Sequence, residues 1–577
     1  MSRSIVEEVL GRRDVKEIWG TGYFYALPVT PQDYTLGSVL PAVLYMMRWG
    51  QRRGKGKFSE IFGDNATIAG VAERLANNHG YFRGFDGSIE QTILADLLLA
   101  YCFENRNHKT GRDEQVQRVF PAHYFSSWVD LPKDVANLRG VPEMFTALIA
   151  NQSEGETLDR TGKGHYRVGE GFETNRLLSL FGHGVDIHGE PNNLKSDRFD
   201  ESAQIGIDQL LAVRVAEAVG EAPTKAYGGK HMIPNQLTVA TNAAKHFQED
   251  FNVFIRSYGE NIPRQSLLPM IESCIALGTT NIFLSTLGIL LKWSESGVVP
   301  KNDEQNPWGL FVDCSASTDD RLRRFSEESV DDLLQRLFRL PICMICLRIL
   351  DLRAEQERFR GLPPPAPNPT ERINYLGDLL YDRLDESRDV YRDLRRDCNK
   401  LADALRDAGE TEATNLLENE SVHPAWRMAE ALIYLMGDKL QIGHFRKFLD
   451  SSLMLDQPNG LGKKRRTILK GKSAERRSIV LSNTVIDFLV HRHLMKANRS
   501  NAVRNLSLNE FVEILRRRYG LYVDEAPPGM SIPDEQLRRN RSFLERRLRD
   551  LGLFVGVNDA EAMKRLKQRF EVNADAE

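Results

Sequence analysis

The spacing of apolar side chains predicts helices over most of this chain. Apolar residues recur at helical intervals over residues 89–102, 204–295 and 326–359. Strand-like stretches are short and few, and two clear ones lie at residues 19–25 and 309–314. The pattern therefore predicts a mainly α protein with a few short strands.

The length of the chain, 577 residues, predicts several domains, because a single hydrophobic core stops growing well below that size. Changes in composition indicate five successive parts. They are an N-terminal mixed helical domain at 1–150, a glycine-rich polar loop region at 151–200, a helical core domain at 201–360, a proline linker with a charged, coiled-coil-like helical segment at 361–460, and a basic winged-helix-like module at 461–577.

Leucine and isoleucine recur at intervals among charged residues over 371–418. One interpretation is a short coiled coil through which the protein associates with itself, since a repeated apolar seam favours helix pairing. The other is a helical hairpin that packs on its own domain. The spacing supports both interpretations equally.

Residues 461–577 contain the elements of a compact helical module. Short β-like runs at 467–469 and 478–481 come first, and a helix over 483–496 follows. Ser507 and Glu510 form a capping box at the start of a second helix, since each side chain can satisfy a backbone N–H that the first turn leaves free.

A third helix is predicted to begin near Pro533, a residue suited to the first helical position. A short strand at 553–557 and a last helix at 561–570 follow it. Three short helices with strand-like pieces match a helix-turn-helix variant with a wing, and the third helix would then be the one that reads a DNA groove.

Charge is distributed unevenly along the chain. Residues 461–577 contain 25 Lys and Arg against 15 Asp and Glu, whereas the preceding 460 residues contain 52 against 65. A basic end is attracted to phosphate, and an acidic body is repelled by it. The same asymmetry would also let the basic end dock on the acidic body or on an acidic partner protein.

Candidate phosphate contacts cluster in short runs of the basic module. Arginine suits this role because its planar guanidinium can donate two hydrogen bonds to one phosphate. The candidates for nucleic-acid binding are Lys463, Lys464, Arg465 and Arg466 ahead of the helices, and Arg538, Arg539, Arg541, Arg546, Arg547 and Arg549 on the third helix. His491 and His493, on the first helix of the module, are expected at its surface.

Residues that could bind a metal are sparse. His183, Asp186 and His188 could supply ligands or an acid–base pair, but glycine-containing polar turns often hold such residues without a metal. Asp313 and the acidic residues after it fit a nuclease carboxylate cluster, but the lysine expected on a second strand is not recognisable. We therefore predict no metal site and no cofactor.

The composition predicts a cytoplasmic protein without membrane contact. Six irregularly spaced cysteines indicate a reducing compartment, and Cys343 and Cys346 lie in an apolar run that favours buried core thiols. The uncharged stretch 273–291 contains Gly278 and several polar residues, which favours a buried hairpin over a membrane span. The first residues lack the apolar segment of a signal peptide.

Two stretches resemble a known family. One is Leu310-Phe-Val-Asp-Cys-Ser315 with Arg321-Leu-Arg-Arg324 and Ser326-Glu-Glu-Ser329 close behind, and the other is 539–553 running into Gly556-Val-Asn-Asp559. Together they are similar to accessory proteins encoded in bacterial anti-phage islands beside DNA methyltransferases, of the methylation-associated defence type. The resemblance implies bacterial origin and a role in a multi-protein system beside DNA-modification enzymes. It implies no catalytic residue.

Three functions are consistent with these patterns. The favoured one is a nucleic-acid-binding or adaptor subunit of an anti-phage defence complex, with DNA and other defence-system subunits as partners. The second is a metal-dependent nuclease of the same system, and the third is a protein–protein scaffold without nucleic-acid contact. No motif indicates a reaction, so enzyme activity stays open and a non-enzymatic role is favoured.

Overall fold

The computed structural model describes residues 2–20, 22–49, 52–53, 61–63, 66–78, 82–105, 116–128, 138–150, 160–161, 165–167, 176–182, 185–188, 195–199, 205–219, 224–225, 232–234, 237–356, 368–469, 472–496, 503–556 and 564–572. The chain forms two compact units. Unit 1 contains Met1–Asp33, Gln236–Phe251 and Ser273–Arg569, and unit 2 contains Tyr34–Asn235, Asn252–Glu272 and Phe570–Glu577. The five-part division stays a prediction.

Helices predominate, and the mainly α class predicted from apolar spacing is confirmed. In chain order they are α1 Ser2–Leu10, α2 Arg12–Ile18, α3 Val39–Trp49, α4 Ile68–Asn78, α5 Ser88–Tyr101, α6 Val141–Ala150, α7 Arg176–Gly182, α8 Ile207–Val219, α9 Thr241–Tyr258, α10 Arg264–Ser296, α11 Asp320–Arg336, α12 Arg339–Glu355, α13 Pro369–Leu380, α14 Ser387–Asp407, α15 Thr411–Glu418, α16 Pro424–Met436, α17 Asp438–Ser452, α18 Asn483–Leu494, α19 Leu508–Tyr519 and α20 Asp534–Asp550.

The strands of the described chain are short, apart from one hairpin. They are β1 Arg52–Arg53, β2 Phe103–Asn105, β3 Val116–Val119, β4 Arg160–Thr161, β5 His165–Arg167, β6 Val185–His188, β7 Lys195–Phe199, β8 Thr224–Lys225, β9 Met232–Pro234, β10 Leu310–Phe311, β11 Gly462–Leu469, β12 Lys472–Ile479, β13 Leu521–Tyr522, β14 Phe554–Val555 and β15 Arg565–Leu566. The pair β10–β13 is parallel, and the pairs β1–β8, β2–β3, β4–β5, β5–β9, β6–β7, β11–β12 and β14–β15 are antiparallel.

The stretch 19–25 is not a strand, contrary to the prediction. Its described residues form bends and a turn, and Ala26 and Leu27 both donate backbone hydrogen bonds to the Tyr23 carbonyl. The described parts of 151–200 form short strands and α7. The proline linker falls almost entirely on 357–367, outside the described residues.

Helix α10 is the apolar core helix of unit 1 from Ser273 onward. Among the described residues it alone is long and apolar enough to cross a membrane, but 89% of its most apolar 18-residue window is buried inside the protein. Such burial is typical of the core helix of a soluble protein. Its Trp293 is fully buried and donates a hydrogen bond to the Ile373 carbonyl at 3.1 Å.

The helix α10 is continuous, so the predicted hairpin within 273–291 is wrong. Gly278 lies in helical backbone, and a Cβ atom there would overlap the ring of Phe247 on α9. The hydroxyl of Thr286 donates to the Ile282 carbonyl one turn earlier, so its polar atom is satisfied within the helix. The small and polar residues therefore mark close helix packing instead of a chain reversal.

Residues 371–418 form α13, α14 and α15, which pack on their own unit. Leu394, Leu401 and Leu405 of α14 are fully buried, and α14 packs against α15 and α16. These leucines are therefore already covered within the chain, as the second interpretation of their spacing predicts.

Unit 2 has its own apolar core. Buried residues of α4, α5 and α8 pack together with β2 and β3, and they include Leu75, Leu94, Leu98, Val116 and Val215.

Candidate nucleic-acid interface

The basic C-terminal segment begins with a long hairpin. Strands β11 and β12 pair in antiparallel register from Gly462↔Ile479 to Leu469↔Lys472. Since side chains alternate between the two faces of a strand pair, residues 463, 465 and 476 share one face and residues 464, 466 and 477 share the other. This alternation decides which basic residues of the hairpin contact the body of unit 1.

One face of the hairpin is held by α11. Arg465 donates from Nε and Nη2 to the buried Glu327 carboxylate at 2.8–3.0 Å, and Arg476 lies 3.6 Å from the same carboxylate and 3.7 Å from Asp331. The Glu327 carboxylate is thus neutralised by two arginines of the hairpin, and a third, Arg323, lies 3.8 Å away. Arg465 is consequently engaged within the protein.

The opposite face of the hairpin is held by α17. Arg477 is buried and donates two hydrogen bonds to Asp450, at 2.5 and 2.7 Å. Lys464 lies 4.0 Å from Asp450 and 2.7 Å from Glu475 across the hairpin. Burial lowers the pKa of Arg477 and the Asp450 carboxylate raises it, with a net upward shift.

The second predicted helix of the module begins as its sequence requires. Ser507 Oγ accepts a hydrogen bond from the Glu510 N–H at 3.2 Å, and Glu510 Oε2 accepts one from the Ser507 N–H at 2.8 Å, so the capping box is confirmed. Helix α19 ends at Gly520, whose left-handed φ of 66° suits glycine.

After α20 the chain forms a small sheet. Strands β14 and β15 are antiparallel, and residues 506–508 join the other edge of β15. The Leu566 N–H donates to the Leu506 carbonyl at 2.9 Å, and the Leu508 N–H donates to the Lys564 carbonyl at 3.1 Å. The predicted last helix is therefore wrong where 561–570 is described, because its backbone groups are paired across strands.

Helix α20 exposes arginines on one face. Arg538, Arg546 and Arg549 lie within a quarter-turn of each other by helical spacing, and Arg546 and Arg549 expose 78% and 55% of their side chains. Their nearest carboxylates are Asp550 at 3.9 Å and Glu545 at 3.8 Å. Both contacts are close to the 4 Å limit of an ion pair, and an exposed pair such as Arg546–Asp550 contributes about 0–1 kcal/mol, so these guanidinium groups stay available.

Two other arginines of α20 are used to attach the helix. Arg547 donates to the carbonyls of Val480 and Leu481 at 3.0 and 2.6 Å, ahead of α18, and burial lowers its pKa. Arg541 pairs with Asp524 at 2.8 Å. Both side chains fix the position of α20 and are poorly placed to contact a ligand.

A buried asparagine ties α20 to the strand β10. Asn540 is fully buried, and its Nδ2 donates to the carbonyls of Val312 and Val523 at 2.8 Å each. Its Oδ1 accepts from the Cys314 N–H at 2.9 Å. The side chain thus satisfies backbone groups at the ends of two parallel strands and places α20 beside the loop that follows β10.

Cations from three elements converge on that loop, residues 313–319. Lys463 of β11 donates to the Ala316 carbonyl at 3.2 Å, Arg539 of α20 pairs with Asp319 at 2.7 Å, and Arg323 of α11 lies 3.4 Å from the Ser317 carbonyl. Arg321 and Arg324 at the start of α11 are also exposed. The loop therefore joins the hairpin, α11 and α20 into one basic surface.

The sequence prediction did not include the arginines of α11. They lie in the stretch Arg321-Leu-Arg-Arg324 that carries the family resemblance, but nothing in the local pattern indicates that this turn would lie beside α20. The structure places these arginines beside α20 because Asp319, the N-cap of α11, pairs with Arg539.

Asp313 is a structural residue of the loop. Its Oδ1 accepts hydrogen bonds from the Ser315 N–H at 3.0 Å and the Ser315 hydroxyl at 2.5 Å, and its Oδ2 accepts from the Ser317 N–H at 3.0 Å. Burial raises the pKa of this carboxyl, and the hydrogen bonds partly oppose the shift. Asp319 caps α11 and Glu327 pairs with arginines, so the carboxylates of Asp313, Asp319 and Glu327 are engaged separately.

Among the described residues, no group of three or more His, Cys, Asp and Glu could hold a metal ion. Asp186 and His188 lie on β6, opposite Arg198 and Lys195 of β7. The structure describes the backbone of these two residues but not their side chains, and His183 lies outside the described residues. Metal binding by His183, Asp186 and His188 is therefore untested by the described residues, and their role stays a prediction.

A second set of basic residues meets a buried carboxylate on α9. Asp250 accepts from Tyr519 Oη at 2.6 Å and pairs with Arg518 at 2.7 Å and with Arg492 at 2.8 Å. His493 Nε2 lies 2.7 Å from the Tyr519 hydroxyl. Helices α18 and α19 are thereby joined to α9 by charged groups inside the protein.

The histidines of α18 are buried, contrary to the expectation of a surface position. Burial lowers the pKa of His493 well below its ordinary value, and the neighbouring Arg492 and Arg518 lower it further. His491 contacts the Asp487 carbonyl at 2.8 Å through Nδ1 and accepts from the Arg569 N–H at 3.0 Å through Nε2. The helical spacing predicts which apolar side chains of α18 are buried. It does not predict that the polar residues on the other side of this helix are buried as well.

Comparison with known proteins identifies the family. The family model described as "Methylation-associated defense system protein MAD7" matches residues 28–570. No curated protein and no solved structure matches the chain. The match extends over nearly the whole length and includes both stretches that carry the resemblance seen in the sequence, and the chain therefore belongs to the methylation-associated defense system protein MAD7 family.

Proposed function

We propose that this protein is a nucleic-acid-binding subunit of its defence system and that it holds duplex DNA by the phosphate backbone. One observation carries the proposal: the candidate basic residues divide into an engaged set and an exposed set. Lys464, Arg465, Arg541 and Arg547 are engaged within the protein. The exposed set is Lys463, Arg466, Arg538, Arg539, Arg546 and Arg549. Two of its members, Lys463 and Arg539, also contact the loop 313–319 and stay exposed while they do so.

The exposed set comes from two elements that share a neighbour. Arg539 and Lys463 both contact the loop 313–319, so the exposed face of α20 continues onto the base of the hairpin. Exposed Arg321 and Arg324 extend the same surface. Cations spread over several elements can follow successive phosphates, which a single charged helix face does less well.

The order of elements supports a winged-helix arrangement. Helices α18, α19 and α20 are followed by β14 and β15, and residues 506–508 pair with β15. In winged helix-turn-helix proteins the third helix enters the major groove. Helix α20 occupies that third place and has the exposed arginines, although the strand β13 separates it from α19.

The alternative is a basic end that only docks on the acidic body of the same chain. The contacts support such docking for basic residues outside the exposed set. Arg492, Arg518, Arg465 and Arg477 pair with acidic residues of α9, α11 and α17. Because these pairs are formed within the chain, an adaptor role for the acidic body would use its remaining surface. Family membership indicates that other components of the defence system exist as partners.

Binding of a mixed-sequence duplex to the full-length protein, titrated at several salt concentrations, tests the proposal. Each phosphate contact contributes about 0.9 to the slope of log K against log salt. Replacing Arg538, Arg546 and Arg549 with Gln is expected to weaken binding and lower the slope by about 2.7. The matched control replaces three exposed arginines of α14 with Gln. They are Arg392, Arg395 and Arg406, which belong to the net acidic part of the chain, residues 1–460.

The control variant is expected to bind like the unchanged protein. The proposal fails if the unchanged protein does not bind the duplex at low salt, or if the α20 variant keeps the same affinity and slope while melting at the same temperature. Equal losses in both triple variants would show that only net charge matters, and that result would also count against the surface described above.

A further inference from the structure

The tip of the β11–β12 hairpin contains an apolar side chain in a strongly basic setting. Ile468 exposes 79% of its surface, more than any other large hydrophobic side chain of the described residues. It shares a face of the hairpin with Arg466, two residues earlier, whose side chain is 83% exposed. Two-residue spacing in a strand places both side chains on the same side.

The hairpin is anchored only at its base. The last register pair with contacts to the body is Arg465↔Arg476, which meets Glu327 and Asp331. Beyond it, the ion pairs of the described residues join Glu475 to basic residues of the hairpin itself, at 2.7 Å to Lys464, 3.8 Å to Arg477 and 3.9 Å to Arg466. Ile468 lies three residues past the last anchor, and at ~3.3 Å per residue this is a reach of about 10 Å.

The strand pair therefore extends from the basic surface beyond a fixed base. Arginine pairs fix both faces of its base, so the direction of the hairpin is set by the body of unit 1. Its reach of about 10 Å exceeds the ~7.5 Å depth of the B-DNA minor groove. An exposed apolar residue near such a tip would favour insertion into an apolar environment, because exposure to water is unfavourable.

We propose that Ile468 is a wedge that inserts between base pairs of the DNA that the basic surface holds, and thereby kinks the duplex. Apolar wedges such as Ile act in this way in minor-groove proteins and bend DNA by roughly 20–90°. Arg466 beside the wedge and Lys463 at the base would contact flanking phosphates. The charge around the wedge selects DNA over an apolar protein partner, because Lys463 and Arg466 of the hairpin are exposed and the exposed arginines of α11 and α20 extend the same basic surface.

This inference rests on the proposed function, and its test separates binding from distortion. The probe is a mixed-sequence duplex of 25 base pairs that contains 2-aminopurine at a pyrimidine–purine step and a fluorescence-transfer pair at its ends. Such steps unstack most easily. Binding of the full-length protein is expected to raise the 2-aminopurine fluorescence severalfold and to shorten the distance between the ends.

Ile468→Ala is expected to remove most of both signals at saturating protein, while affinity falls less than tenfold and the salt slope is unchanged. Ile89→Ala is the matched control, because Ile89 of α5 is 72% exposed and belongs to unit 2. Saturable, salt-dependent binding without a fluorescence or distance change overturns the wedge and leaves the proposed function intact. Distortion that Ile468→Ala does not reduce also overturns it, and absence of binding overturns both.

Discussion

Removal of the Asp250 carboxylate is expected to destabilise unit 1 strongly. The carboxylate is the only acidic partner within 4 Å that the described residues give Arg492, whose side chain is 4% exposed. Arg518 keeps Glu249 at 3.2 Å and the His246 carbonyl at 2.9 Å, and Tyr519 keeps His493 at 2.7 Å. The main loss in Asp250→Ala is therefore the buried, uncompensated charge of Arg492.

Breaking a buried ion pair by removing one partner costs about 3–5 kcal/mol. Unit 1 has about 350 residues, and an unfolding entropy of ~2.1 cal/mol/K per residue gives about 0.7 kcal/mol/K for it. The expected fall in the Tm of its unfolding transition is therefore about 4–7 °C. Circular dichroism melts of the full-length protein measure this shift directly.

Two further variants make the outcome specific. Asp550→Ala removes a carboxylate that is 71% exposed and 3.9 Å from Arg546, so its cost is expected to stay below about 0.5 kcal/mol. The double change Asp250→Leu with Arg492→Met removes both buried charges and is expected to recover much of the loss. A Tm of Asp250→Ala within 1 °C of the unchanged protein would refute the reasoning.

Three other outcomes follow from the packing and the titrating groups. Gly377→Ala is expected to lower the free energy of unfolding by about 2–3 kcal/mol, since its Cβ would overlap the backbone of Gly297. Gly443→Ala in α17, where a Cβ meets nothing, is expected to raise the same free energy by about 0.5–1 kcal/mol. Urea melts measure both changes, and shifts of the same sign would contradict this reasoning. His423 caps α16 by accepting from the Ala425 N–H, and burial lowers the pKa of its imidazole from 6.5 to about 4. Its contribution to the free energy of unfolding is therefore complete above pH 6.5 and is lost as pH falls toward 4. His423→Asn, a cap that does not titrate, should flatten the fall in Tm over that range, and an unchanged pH dependence would count against the cap. Burial raises the pKa of Cys343 to about 12 and that of Cys346 well above its usual value. Both thiols should therefore react with a disulfide reagent only after the protein unfolds. Labelling of the native protein at the rate of a free thiol would contradict this, because it would show that the thiols are accessible.

Local signals predicted much of the architecture. The capping box of Ser507 and Glu510, the β-like runs around the hairpin and the apolar period of α5 depend on residues within a few positions of each other, and all three appear in the structure. The buried state of Cys343 and Cys346 is also confirmed, because an apolar run predicts burial whatever surrounds it.

Predictions failed where a distant partner decides the conformation. Gly278 reads as a turn in sequence, but the ring of Phe247 makes it a packing position in a continuous helix. Residues 564–570 read as a helix, yet their backbone groups pair with Leu506 and with β14. In each case the deciding contact lies outside the window that a periodic pattern covers.

The same distinction governs the candidate interface. The sequence alone determined that positive charge is concentrated in residues 461–577 and that a helix near Pro533 would be rich in arginine. Only the tertiary structure decided which of these cations remain exposed. Arg465 is engaged because Glu327, 138 positions away, lies under the hairpin, whereas Arg546 meets no buried carboxylate among the described residues. Charge is a property of composition, but its availability depends on the partners that folding brings within a few ångströms.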